Sequence, residues 1–490
     1  MKTLEEIVRK IPVKSIIGDL NIPILAICFD SRDVEPGTLF VAMRGTVNDG
    51  HHYISDVVRR GVSAIVCEEI PAAIRQDITC IITSDSALAL GLICAEFYDY
   101  PSQKLALIGV TGTNGKTTTA TLLYQLFRKM GYKAGLISTV AYYVDQQRTE
   151  ASHTTPNSVQ LNKLMLQMVE QGCEYCFMEV SSHAIVQQRI VGLHFAGGIF
   201  TNLTHDHLDY HKTFSEYRDA KKMFFDNLPD TAFALVNKDD RNGMVMVQNT
   251  KAGVKTFAMK SMADFRCRVI EGDFAGMALQ LDGREAWMRL VGEFNAYNLL
   301  AVYTTAVLLG QKPEEILIAM STLTPVDGRF ELIRSDNGVT AIVDYAHTPD
   351  ALENVLKTIH DVLSLGQSGQ IITVVGCGGD RDRTKRPEMA KIASAGSSRV
   401  ILTSDNPRSE EPEAIIADML AGLDDTERRN TLTITNRREA IRSACMMAAP
   451  GDVVLIAGKG HETYQIVKGV KSHFDDREIV REVFCVDNQQ

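Results

Sequence analysis

At 490 residues and 54.1 kDa the chain exceeds what one hydrophobic core organises, and at about 100–200 residues per domain three domains are expected. A composition of 45% hydrophobic and 23% charged residues, with a mean hydropathy of -0.05, excludes a disordered chain and a membrane-embedded one. A net charge of -10 and a pI near 5.7 argue against a general nucleic-acid or anionic-membrane surface, so any anionic ligand must be met locally.

The chain opens MKTLEEIVRK, with Glu5 and Glu6 where a signal peptide would turn apolar, and nowhere does an apolar run approach the roughly 18 residues of a spanning helix. A cytoplasmic protein without membrane insertion is expected. The first hundred residues alternate short apolar runs with turns (LAICFDSR, TLFVAMRG, SAIVCEE, CIITSDS), which reads as a small α/β domain over residues 1–102. After YDYPSQ a second domain begins, 103–332. Its strand KLALIGV leads into a glycine-rich loop and the helix TTATLLYQLFRKMG, followed by the strands KAGLIST, CFMEVSS and GGIFTNL. Strands alternating with helices imply a mainly parallel sheet, whose ligands bind beyond the strands' carboxyl ends; Thr111, Glu179, Ser181 and Asn202 all fall there. A third, Rossmann-like rhythm occupies 333–490 in TAIVDYAH, IITVVGCGGD, RVILTSDNP and DVVLIAGKG. The ten cysteines are scattered, as a reducing compartment permits. The one close pair, Cys173 and Cys176, leads into the apolar stretch CFMEV, which favours packing over a redox or zinc half-site.

The strongest local signal is Gly112, Thr113, Asn114, Gly115, Lys116, Thr117 and Thr118, between a predicted strand and a predicted helix. Backbone N–H groups of such a loop hold phosphate oxygens, the lysine adds a charge and the hydroxyl binds Mg2+. The general spacing wants a further glycine where Val110 stands. Downstream, THDHLDYH at 204–211 permits two readings. A dinuclear hydrolase would use several imidazoles to activate water, but Tyr210 interrupts that motif. Alternatively, His207 is one ligand to a nucleotide-associated Mg2+, helped by Glu179, with the other polar residues shaping the loop and His205 and His211 at least as readily solvated loop residues as ligands; Mg2+ prefers oxygen, so a single imidazole is tolerable. In the third domain, Arg408 of DNPR (Asp405, Asn406, Pro407, Arg408) and Arg381 of GDRD lie on neighbouring strand-end loops. They could fork onto carboxylates or form surface salt bridges.

In order along the chain, DSR (30–32), TGTNGKTT (111–118), HTTP (153–156), MEVSSHAIVQQR (178–189), TNLTHDHLDYH (201–211), GEFNAYN (292–298), DGRFE (327–331), DYAHTP (344–349), GCGGDRD (376–382), DNPR and GKGHE (458–462) together resemble the Mur ligase family. The likeness spans essentially the whole chain, and the GTNGKT form of the loop accounts for Val110. It implies ATP and Mg2+ as cofactors. Lys116 would face the ATP phosphates; Thr117, Glu179 and His207 the metal; Asn298, Arg329 and Asp344 the adenine, phosphate and ribose. Lys221 in EYRDAKK matches a lysine that the family carries as a CO2-derived carbamate, whereas the residues alone read as a surface helix position. Phe29, Ser31, His153, Thr154, Thr155, Ser181, Gln187 and Arg189 match contacts to UDP-N-acetylmuramoyl-L-Ala-D-Glu. Arg381, the DNPR residues, Gly458 and Glu462 match contacts to meso-2,6-diaminopimelate, with Arg408 facing the carboxylate that L-lysine lacks.

The implied reaction is an ATP-dependent ligation through an acyl phosphate, by a monomer, in peptidoglycan precursor synthesis. An unpaired buried guanidinium would penalise lysine; the lysine-adding ligase is the near alternative, and a metal hydrolase or a non-catalytic nucleotide-binding protein the distant ones.

Overall fold

A computed structural model describes residues 2–45, 48–71, 77–206, 208–364 and 369–485, with only the backbone of residues 208 and 209. The fold is α/β, with three principal sheets arranged in chain order.

The first sheet has five strands in the order Val13–Ile17, Thr79–Thr83, Ala64–Cys67, Thr38–Val41, Ala26–Cys28. All pairings are parallel except that of Val13–Ile17. The inner strands are buried along their whole length, which is why they read as unbroken apolar runs rather than alternating ones. The helix Ser86–Phe97, capped by the Asp85 carboxylate accepting from Leu88 N at 2.9 Å, joins this sheet to the next unit.

The central sheet has eleven strands. Its middle is parallel, in the order Ala134–Ile137, Tyr175–Glu179, Ala106–Thr111, Gly197–Phe200, Phe233–Asn237, Gly253–Ala258, Phe265–Asp273. Helices Lys116–Lys129 and Glu293–Leu308 cover one face through Leu122, Leu126, Phe127, Leu299 and Tyr303. Helices Ser158–Glu170 and Phe214–Asp226 cover the other through Leu161, Met165, Phe224 and Phe225. Each such fully buried side chain contributes about 1.5–3 kcal/mol. Both cysteines of the close pair are buried, Cys176 within the core strand Tyr175–Glu179, and burial raises both thiols.

The sheet runs beyond the strands expected from sequence. A hairpin, Ala141–Val144 with Gln147–Glu150, extends one edge, and Phe265–Asp273, Gly276–Leu281 and Arg284–Met288 form an antiparallel extension of the other. Cys267, Met277, Leu279, Leu281 and Met288 pack on the central core while their neighbours face solvent. These strands therefore lack the long apolar runs of the middle.

The third sheet is ordered Glu331–Arg334, Thr340–Asp344, Val453–Ala457, Ile371–Val375, Arg399–Leu402, Thr431–Thr433, all parallel but for the first pair. Helices Pro349–Ser364, Lys385–Ala395 and Pro412–Leu420 pack on one face, and Arg437–Met447 and Asp476–Phe484 on the other. The last two are tied by a fully buried Arg437–Asp476 pair at 2.7 Å. No helix among the described residues is long and apolar enough to cross a membrane.

Candidate active site

The carboxyl ends of the central and third sheets face a common cleft of about 1170 Å³. Its floor is the loop between strand Ala106–Thr111 and helix Lys116–Lys129. Gly112 has φ +149, and a Cβ there would stand 2.0 Å from Thr201 Oγ1, so only glycine lets the loop approach the neighbouring strand end. Asn114 N donates to Asn202 Oδ1 at 2.9 Å, and the Thr201 hydroxyl donates to Asn114 O at 2.6 Å. The loop is held from the side and its mouth is left to a ligand.

Lys116 Nζ donates to its own loop at Gly112 O (2.9 Å) and Thr113 O (2.7 Å). Burial lowers its pKa, with Glu179 and Asp206 opposing. Lys221 lies 1% exposed, with Nζ donating to Gly112 O at 2.8 Å and 4.6 Å from the centre of the Tyr217 ring. The surface position read from the residues alone is thus corrected. Helix Phe214–Asp226 turns Lys221 to the phosphate loop, while Lys222 pairs with Asp226 at 2.6 Å. Desolvation, then the Lys116 charge, holds the Lys221 ammonium well below the usual lysine range.

Glu179, at the end of its strand and 1% exposed, accepts from Thr139 N at 2.7 Å through Oε1; its Oε2 is buried without a partner. A buried carboxylate oxygen left unsatisfied beside a phosphate loop fits an oxygen-seeking cation. Thr117 lines the cleft beside it and accepts from Arg329 Nη2 at 3.1 Å. His207 lies outside the described residues. Among the described residues no three His, Cys, Asp or Glu side chains group as a metal site. His205 is half exposed and 3.6 Å from Asp382, but His211 is 4% exposed with Nε2 2.8 Å from Ser182 Oγ; its expected solvation is corrected, because its ring packs under helix Phe214–Asp226 against Tyr217.

Thr118, Asn298, Arg329 and Asp344 also line the cleft. Asn298 Nδ2 donates to Asn295 Oδ1 at 3.2 Å. The Arg329 guanidinium stacks 4.3 Å over Tyr345, and Asp344 accepts from Phe330 N and Ala346 N, both at 2.7 Å. Burial raises the Asp344 carboxyl.

On the next wall Thr154 accepts from the Thr139 hydroxyl at 3.0 Å, and Thr155 Oγ1 donates to Glu179 O at 2.7 Å and accepts from Ser181 N at 3.1 Å. Arg189 donates to Thr155 O at 2.7 Å and to Gln187 Oε1 at 2.6 Å. His153 is exposed at the rim, its pKa lowered by partial burial and then by Arg189. Gln187 stands behind Arg189. Phe29 and Ser31 are not among the lining residues: Phe29 packs on the first sheet's core and Ser31 opens the 3₁₀ turn Ser31–Asp33.

Arg381, Arg408 and Glu462 line the opposite wall. Arg408 has φ +54, and its Nη1 donates to Gly379 O at 2.6 Å. Asp405, Asn406, Pro407 and Gly458 lie behind: Asn406 Nδ2 donates to Glu462 Oε2 at 2.7 Å, and a Cβ on Gly458 would meet Asp405 Oδ2 at 2.6 Å. Burial, then Asp405, raises the Glu462 pKa, while Lys459 opposes.

Three further contacts were not legible in the sequence. Asn114 Nδ2 donates to Asp350 Oδ2 at 2.7 Å, Lys385 pairs with Asp206 at 2.5 Å, and the buried Lys459 bonds to Asn406 and Glu462. The first two join the third unit to the phosphate loop region. Their partners lie 236 and 179 residues apart, beyond any local pattern.

The family model of the Mur ligase middle domain matches residues 110–306, that of the Mur ligase glutamate ligase domain 328–460, and that of the Mur ligase family catalytic domain 23–93. A UDP-N-acetylmuramoyl-L-alanyl-D-glutamate–2,6-diaminopimelate ligase of Bacteroides fragilis is 57% identical over 483 residues, with 99% of each chain covered. One from Clostridioides difficile is 42% identical, over 98% of this chain and 99% of its own. A solved structure of a ligase of that name aligns over 100% of both chains with a TM-score of 0.69 and 31% identity. The distant hydrolase reading is thereby set aside: the chain belongs to the Mur ligase family of ATP-dependent ligases.

Proposed function

We propose that this ligase joins meso-2,6-diaminopimelate to UDP-N-acetylmuramoyl-L-alanyl-D-glutamate at the expense of ATP, in peptidoglycan precursor synthesis. The observation that carries the reading is one cleft with a lysine-bearing phosphate loop on its floor and, opposite, two guanidinium side chains beside a carboxylate, Arg381, Arg408 and Glu462. That wall suits an amino acid with an extra carboxylate and a distal ammonium. The names of the relatives at 55–57% identity support it. We place the reaction in the cytoplasm, where ATP is available, and a single chain supplies every group it needs.

Residues 1–102 are assigned to the UDP-muramoyl substrate, 103–332 to ATP, and 333–490 to the amino acid. Thr154, Thr155, Ser181 and Arg189 orient the dipeptide so that its glutamate γ-carboxylate faces the ATP γ-phosphate. Attack forms a P–O bond and breaks the β,γ bond, giving an acyl phosphate and ADP. The amine held by the third unit then attacks the acyl carbon; a C–N bond forms, the C–O bond breaks, phosphate leaves, and a proton passes to solvent.

Lys116 offsets the repulsion between two anions in the first step, and the backbone N–H groups of residues 112–118 act alongside it. Thr117, Glu179 and His207 would hold Mg2+, which supplies charge neutralisation at the phosphates. The depressed basicity of Lys221 favours a neutral amine able to attack CO2, with loss of a proton, giving a carbamate. A carboxylate there would relieve the repulsion from Lys116 and add a further anionic oxygen donor. The contacts of Asp350 and Lys385 across the cleft bring the third unit over the acyl phosphate and limit water.

The test is product formation from ATP, Mg2+ and the UDP-muramoyl dipeptide with meso-diaminopimelate or L-lysine under identical conditions. Ligation of diaminopimelate alone is expected. Preference for lysine would keep the ligase and remove the argument from Arg408, and no product with either would overturn the proposal.

A further inference from the structure

The turn Gly458–Lys459–Gly460 places a lysine where lysine is seldom found. Its side chain is 0% exposed, although lysine is among the residues least often buried. Gly458 and Gly460 have φ of +119 and +52; a Cβ on the first would strike Asp405 Oδ2 at 2.6 Å, and on the second Gly328 O at 2.6 Å. The turn is anchored from the nucleotide side by Gly458 N donating to Asp344 O at 3.0 Å, and it closes with Glu462 N donating to Lys459 O at 2.9 Å. Two glycines thus allow the chain to fold tightly enough to aim Lys459 inward.

Inside, Lys459 Nζ donates to Asn406 Oδ1 at 3.2 Å and to Glu462 Oε2 at 3.3 Å, while Asn406 Nδ2 donates to the same Glu462 oxygen at 2.7 Å. The three side chains form a closed triangle. It bridges DNPR and GKGHE, which are 53 residues apart at the Lys459–Asn406 bond, and Ile466 N donating to Asn406 Oδ1 at 3.0 Å fixes the asparagine further. Asp405, 8% exposed, adds a second carboxylate beside Glu462. Two carboxylates here disfavour each other's charge, and Lys459, with the Arg437 guanidinium nearby, opposes that repulsion at Glu462.

We infer that Lys459 is a positioning residue for amino-acid selection: it holds Asn406 and Glu462 in one geometry and keeps Glu462 ready for a distal ammonium without itself touching the ligand. The inference rests on the function proposed above. Because Lys459 acts through Glu462, its removal should fall on the amino acid and spare the other substrates, and the effect should vanish once Glu462 is neutral.

The experiment measures KM for meso-diaminopimelate, ATP and the UDP-muramoyl dipeptide in wild type, Lys459→Met, Glu462→Gln and the double variant, with Tm recorded for each. Lys459→Met should raise the diaminopimelate KM about tenfold or more, leave the other two within about twofold, and add less than about twofold in the Glu462→Gln background. Lys459→Gln, which keeps a donor to Asn406 but no charge, should fall between. An unchanged amino-acid KM, equal effects on all three substrates, or additive penalties would overturn the inference. Loss of the fold in both lysine variants would assign Lys459 to stability and overturn it as well. A wild-type protein that ligates no diaminopimelate would instead count against the proposed function.

Discussion

Lys221 shows how much a single side chain depends on contacts remote in sequence. It is 1% exposed and bonded to Gly112 O, 109 residues away, yet within EYRDAKK it is one of two adjacent lysines with no local sign of burial. Its depressed pKa means that the folded, unmodified protein binds fewer protons than the unfolded chain between the depressed and the ordinary lysine value. Stability therefore rises with pH through that window. A carbamate at Lys221 removes this penalty. Protein stripped of CO2 should lose most ligase activity and regain it on addition of bicarbonate, and Lys221→Met should show no such response; activity unchanged by thorough CO2 removal would argue against the modification. Glu179 was easier to read, since a lone glutamate ending the apolar strand CFMEV points beyond the sheet's carboxyl edge.

Elements differ in legibility for a physical reason. The parallel strands Ala106–Thr111, Tyr175–Glu179, Thr340–Asp344 and Val453–Ala457 are buried on both faces and so stand out as apolar runs. The antiparallel strands from Phe265 to Met288 bury one face under helix Glu293–Leu308, and only alternation with DG and AG turns marks them. The phosphate loop is legible because its glycines are dictated by close backbone approach. Gly112→Ala, at φ +149 and 2.0 Å from Thr201 Oγ1, should destabilise the protein by about 1–3 kcal/mol and abolish nucleotide binding, measured by thermal melts with and without ATP. At the start of helix Lys385–Ala395, Arg386 holds Glu410 at 2.8 Å and lowers its pKa to about 2 from an ordinary 4.5. The stability this pair adds is present above about 4.5 and is lost as pH falls through about 2. Glu410→Gln should accordingly be less stable than wild type at neutral pH, and the gap should narrow in acid denaturation profiles toward pH 2.

For the whole molecule, the three-domain α/β plan was readable from the rhythm of strands and helices, whereas the way the third unit sits over the phosphate loop was not. That placement rests on Phe274 and Val291, buried with the third unit's core, and on scattered polar pairs, among them Asn114 with Asp350 and Asp206 with Lys385, neither of which carries a sequence signal of its own. If these pairs hold the third unit over the acyl phosphate, Lys385→Ala should raise phosphate release in the absence of amino acid relative to the ligation rate, because water gains access to the intermediate. Equal uncoupled release in wild type and variant would show that closure does not depend on the pair.

The phosphate loop and the wall of Arg381, Arg408 and Glu462 line one cleft, and in the proposed reaction a carboxylate activated by ATP would meet its amine there without leaving the protein. Oxygen-18 follows that transfer atom by atom: the UDP-muramoyl dipeptide is supplied with both oxygens of its glutamate γ-carboxylate labelled, together with ATP, Mg2+ and meso-diaminopimelate. One labelled oxygen should appear in each phosphate released and the other in the new amide of the product. Unlabelled phosphate would mean that ATP is cleaved by water, and would contradict ligation through an acyl phosphate.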